Sequence, residues 1–185
     1  MTDTQKKPLW KNELVWLFLL TSGLFAILYS KFILGGYAYV FTDTGADTMQ
    51  INYAQYGLFS SLFRSGESGY VLQAGLGMDV SSYYPAYLIP YNLLILLAPQ
   101  RLLPWAVLAS AYLKMITISI VGYLFYRKLM QDGIGTMAAA LAWTFSGYVI
   151  LWGQHYGFCT CMALFTVFMY FLQCYLNGEQ RFIHA

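Results

Sequence analysis

From Gly133 to Gly178 the chain carries no Asp, Glu, Lys or Arg. Nothing in that stretch can present a charged face to water, so it reads as buried in hydrocarbon. A membrane helix needs about 20 apolar residues, and the stretch is too long for one. It divides at Trp152-Gly-Gln-His155-Tyr-Gly157, which predicts spans at 134–152 and 158–176. The whole chain follows the same pattern: 59% of residues are hydrophobic and only 10% charged, against about 25% charged in soluble domains. The fold class this implies is an all-α integral membrane protein. A net charge of +2, with no cluster of Lys and Arg, excludes nucleic acid as a partner.

Two more spans are predicted. The first covers 13–33: Leu14 to Ser30 is uncharged, and Lys31 can snorkel at its end. It is long and lacks a small-residue cleavage site, so it reads as an anchor rather than a signal peptide. The second covers 105–126 and contains one charge, Lys114. Tyr83–Leu103 is also apolar, but Pro85, Pro90 and Pro99 punctuate it. Its longest unbroken piece, Tyr91–Ala98, rises only about 12 Å as a helix, against roughly 30 Å of hydrocarbon. Proline also removes backbone donors that lipid cannot replace.

Charge bias decides the topology. If Tyr83–Leu103 does not cross, Lys6, Lys7, Lys11, Arg127, Lys128 and Arg181 share one side, and Lys31, Arg64 and Arg101 the other. If it crosses, the bias disappears. The expectation is therefore four transmembrane helices with both ends cytoplasmic. An extracytoplasmic loop at 34–104 then contains short interfacial or re-entrant helices. Arg181-Phe-Ile-His-Ala185 leads out of the last span with apolar character, and the chain is expected to be part of a longer membrane protein.

On the outer side, Phe41-Thr-Asp43-Thr-Gly-Ala-Asp47-Thr-Met-Gln50 sets two carboxylates four residues apart beside the bilayer. Such groups are costly to hold next to hydrocarbon. Asp43 or Asp47 can serve as a general base on an acceptor hydroxyl, with the other orienting it or, at Asp47, holding a divalent metal ion. The same spacing also suits ordinary turn chemistry around Gly45. Lys114 needs an anionic partner or must snorkel; counted from Trp105 it lies near mid-membrane. His155, at the outer turn, can bind a sugar, a metal or a proton. Gln50 and Arg64 complete the candidate substrate-binding set. The many outer-loop tyrosines suit an interfacial belt or sugar stacking. Cys159-x-Cys161 has neither zinc nor redox spacing, and Gly75-Leu-Gly77 lacks the context of a nucleotide loop.

Asp43-Thr-Gly-Ala-Asp47-Thr resembles a motif in the first external loop of bacterial YfhO-type membrane proteins. Further features follow in matching order: Gly75-Leu-Gly77, Tyr83-Tyr84-Pro85, Pro90-Tyr-Asn-Leu-Leu, Leu113-Lys114, Phe145-Ser-Gly-Tyr148 and Gly153-Gln154-His155. The resemblance covers nearly the whole chain and the N-terminal part of such a family member. That family is similar to the GT-C class of polytopic glycosyltransferases. The resemblance implies transfer of a sugar from a polyprenyl-phosphate donor to a cell-envelope glycan acceptor, such as teichoic acid, outside the bacterial cytoplasmic membrane. It assigns the base or metal-associated role to Asp43 or Asp47, and leaves Tyr70 for sugar stacking. A transporter or flippase for a lipid-linked substrate, and a non-catalytic assembly subunit, are the competing readings.

Overall fold

The computed structural model describes residues 12–41, 47–67, 69–72, 77–79, 89–130 and 132–179. Helix α1 (Glu13–Leu28) starts where the Asn12 side chain accepts the Leu14 N–H at 3.0 Å, with Glu13 in the first turn complementing the helix dipole. It breaks at Tyr29 and continues as α2 (Ser30–Leu34). After Asp47 a π-helical segment, Thr48–Tyr53, runs directly into α3 (Ala54–Ser65). Gly66, at φ +72°, ends α3: its N–H and that of Glu67 reach the carbonyls of Phe63 and Leu62. A two-stranded antiparallel ribbon follows, pairing β1 (Tyr70–Val71) with β2 (Met78–Asp79). The all-α expectation is corrected to that extent.

Pro90 opens α4 (Pro90–Leu97), and a 3-10 turn at Gln100–Leu102 leads into α5 (Leu103–Leu129). The Asp132 carboxylate caps α6 (Gly133–Thr144) through the N–H groups of Ile134 and Gly135, at 3.3 and 2.6 Å. The helix breaks at Phe145 and Ser146, resumes as α7 (Gly147–Leu151) and tightens to a 3-10 turn at Trp152–Gln154. Helix α8 (Tyr156–Leu176) ends at Gly178, φ +73°, whose N–H and that of Glu179 bond back to Tyr175 and Cys174.

Helix α5 is the centre, packed against α1, α4, α6 and α8. Its buried side includes small and polar residues that let helices approach: Ser110, Ser119 and Gly122. Thr21 of α1 shares a 2.7 Å hydrogen bond with Ser119 inside this contact, and Trp143 Nε1 donates to Thr166 Oγ1 between α6 and α8 at 2.9 Å. The outer surface is apolar instead. On α1 only Leu17, Thr21 and Phe25 are buried, while Leu19, Leu20 and Ile27 are exposed; α8 exposes Leu164, Phe165 and Phe168. Apolar surface on this scale suits lipid and not water.

Three helices are long and apolar enough to cross a membrane: 100–129, 133–154 and 156–176. The expected fourth, α1, has 16 residues, or about 24 Å of helix, and falls short by itself. Helix α4 has 8 residues and lies against α3 and the start of α5. It does not cross.

The two ends of the bundle are distinguishable. At one, the Tyr123 hydroxyl of α5 donates to the Glu13 carboxylate at the start of α1, and Lys128 pairs with Glu179 at 2.7 Å. The beginning of α1 and the end of α8 therefore share an end. At the other lie α3, α4 and the turn at Trp152–His155.

Candidate functional site

The site is built around Lys114, on the buried side of α5. A helical side chain leans toward the helix N-terminus, so the ammonium travels past Ser110, one turn earlier. It donates to the Tyr156 carbonyl at 3.1 Å, its one hydrogen bond among the described residues. Tyr156 is the first residue of α8, and α8 alone runs about 30 Å. The ammonium consequently lies level with the start of α8. Lys114 is only 2% exposed.

Aromatic rings seal it. Tyr156 stacks on Tyr56 of α3, with centroids 5.3 Å apart and planes 9° apart, and on Tyr39 from the other side at 5.9 Å. The Tyr156 hydroxyl donates to the Tyr39 carbonyl, and the Tyr56 hydroxyl to Asn92 Oδ1 of α4 at 3.3 Å. Burial pushes the Tyr39 phenol well above its ordinary value, so it stays neutral. Beneath these rings is a small cavity of about 10 Å³, lined by Ser110, Lys114, Tyr56, Tyr156, Gly153 and Cys159 among others. The Ser110 hydroxyl is buried with no hydrogen-bond partner among the described residues.

Above the cavity the acidic segment meets the outer turn. Thr48, fully buried, donates its hydroxyl to the Gln154 carbonyl at 3.1 Å. This places Asp47, half-buried, beside the segment containing His155. His155 is half-buried between aromatic rings, 5.7 Å from Trp152 and 5.6 Å from Phe158. Gln50 is exposed on the π-helical segment.

Of the remaining candidates, Asp43 falls outside the described residues. Arg64 is eight positions beyond Tyr56 on α3, about 12 Å along the helix. There its Nη1, with Ser60 Oγ, donates to the Ala98 carbonyl at the end of α4, at 3.2 and 2.8 Å. Tyr70, 66% exposed, lies on the ribbon with its ring over Gly77, where any side chain would collide with it. No three His, Cys, Asp or Glu side chains gather as metal ligands among the described residues.

Sequence reasoning missed Ser110, Tyr156 and Thr48. Ser110 and Lys114 stand four apart on one helix face, a legible signal. Tyr156 enters through its backbone carbonyl, which no side-chain pattern announces. No family model, curated protein or solved structure matches this chain.

Proposed function

We propose that this chain contributes the outer catalytic face of a GT-C-like membrane glycosyltransferase, using a polyprenyl-phosphate sugar donor and a cell-envelope glycan acceptor. One observation carries the reading: the Thr48–Gln154 hydrogen bond holds the acidic segment against the His155 turn at one end of an apolar helix bundle. A carbohydrate on a lipid carrier reaches such a place from the head-group layer. In the transfer, Asp47 or Asp43 takes the proton from an acceptor hydroxyl, whose oxygen attacks the anomeric carbon. The bond from that carbon to the carrier phosphate breaks, and the phosphate leaves with the electron pair. Lys114, sealed below, supplies positive potential rather than contact. The positive-inside bias of Lys6, Lys7, Lys11, Arg127, Lys128 and Arg181 assigns the opposite end to the cytoplasm.

Asp43→Asn and Asp47→Asn, singly and together in the full-length protein, test the reading through sugar transfer from lipid-linked donor at matched expression. Loss in at least one single variant supports it; unchanged transfer in all three removes it. Labelling of Asp47→Cys by a membrane-impermeant maleimide in intact cells tests the sidedness.

A second reading draws support from the interruption at Phe145 and Ser146. There the Ser146 hydroxyl is buried without a partner among the described residues, beside a lateral apolar groove lined by Trp143, Tyr148 and Phe165. Broken membrane helices line substrate paths in transporters. Translocation of a lipid-linked sugar by reconstituted protein, with no glycosidic product, would favour that reading.

A further inference from the structure

Hydroxyls on these apolar helices are satisfied in two ways. Thr117, Thr144, Thr160 and Thr166 each donate to the carbonyl four residues earlier, and Thr21 pairs with Ser119. Ser110 does neither. The residue is 1% exposed, and its Oγ has no hydrogen-bond partner among the described residues. A buried hydroxyl left unmade is costly.

Lys114, one turn later on the same helix face, has the complementary shortage. An ammonium offers three donors, and Lys114 uses one, on the Tyr156 carbonyl. That carbonyl also accepts from the Thr160 hydroxyl at 3.3 Å, which fills its lone pairs. Ser110 and Lys114 both line the cavity under the Tyr56–Tyr156 stack. The other polar side chains on its wall are engaged elsewhere: Tyr56 with Asn92, Tyr156 with the Tyr39 carbonyl and Cys159 with the Val149 carbonyl. The cavity holds about 10 Å³, the room that one water needs and too little for a larger guest.

We infer that this cavity is the seat of a single buried water, which accepts from Lys114 Nζ and donates to Ser110 Oγ. The water solvates the ammonium without neutralising it. Lys114 therefore stays a cation beneath the outer face, as the proposed transfer requires. The water site itself does not rest on that transfer and holds whether or not Asp47 is catalytic.

Two substitutions at position 110 separate a wet cavity from a dry one. Ser110→Ala deletes the hydroxyl and leaves room for the water; Ser110→Val deletes it and fills the space. In detergent-solubilised full-length protein, the Val variant should melt about 3–8 °C below the Ala variant, because it expels the water and strands the ammonium. A dry cavity gives the opposite order, since filling a void stabilises. Lys114→Met distinguishes solvation from crowding: in that background the two variants should melt within about 2 °C of each other. A Val variant at or above the Ala variant overturns the site, as does a Val deficit that Lys114→Met leaves unchanged. The unmodified protein gives the second measurement. An experimental structure that orders waters should show one about 2.7–3.2 Å from both Lys114 Nζ and Ser110 Oγ. Ordered side chains with no density between them would overturn the site.

Discussion

The Lys114 ammonium and the Tyr156 carbonyl, 42 positions apart in the chain, meet at 3.1 Å. That contact ties the central helix to the first residue of the last one. It places a cation under the stacked tyrosines instead of in open lipid.

Replacing Lys114 separates its charge from its volume. Lys114→Met keeps most of the packing and removes a poorly compensated buried charge. Its thermal midpoint is expected within about 3 °C of the parent. Lys114→Ala opens a hole and should cost about 2–4 kcal/mol. Equal losses in the two variants would show that the ammonium, not the packing, holds the helices together.

Thr48 reports on the link between the acidic segment and the outer turn. Thr48→Val removes the bond to Gln154 and should cost about 1 kcal/mol in stability. If Asp47 acts where proposed, sugar transfer should fall much further than stability, and Thr48→Ser should restore both. Transfer rates compared with thermal midpoints for the two variants check this.

The Thr21–Ser119 pair is suited to a double-mutant cycle, since both side chains are fully buried. Thr21→Val and Ser119→Ala should each destabilise, because the remaining hydroxyl loses its partner. The double variant should recover part of the loss, with a coupling of about 0.5–2 kcal/mol. Strict additivity in detergent unfolding would mean that the contact contributes no pairwise energy.

Glu179 gives the expected pH dependence. The hydrogen bond from Lys128 holds its carboxyl below the usual glutamate range. An acid with a lowered native pKa stabilises the fold fully above its unfolded value, about 4.3. That contribution disappears as pH falls through the native value. Glu179→Gln should therefore lower stability near neutrality and flatten the decline on the acid side of about pH 4.3. Midpoints recorded from pH 3 to 8, roughly spanning that range, test the sign.

Much of the helical skeleton is legible along the chain because its causes are local. The uncharged run from Gly133 to Gly178 and the prolines at 90, 99 and 104 act on their own neighbours. They locate α4, α5 and α8 to within a few residues. The ribbon at Tyr70–Val71 and Met78–Asp79 is too short to produce an alternating signal. The interruption at Ser146 has no proline or charge to mark it. It rests on Ser146 and Gly147, both weak helix formers.

Composition and spacing alone determined that this chain forms helices long and apolar enough to cross a membrane. Hydrophobicity is a property of each segment and needs no partner. The three-dimensional arrangement decided the contact of Lys114 with Tyr156, the stacking of Tyr156 between Tyr39 and Tyr56, and the approach of Thr48 to Gln154. Each of these depends on backbone carbonyls or ring faces from distant segments, and their proximity exists only once the helices have packed.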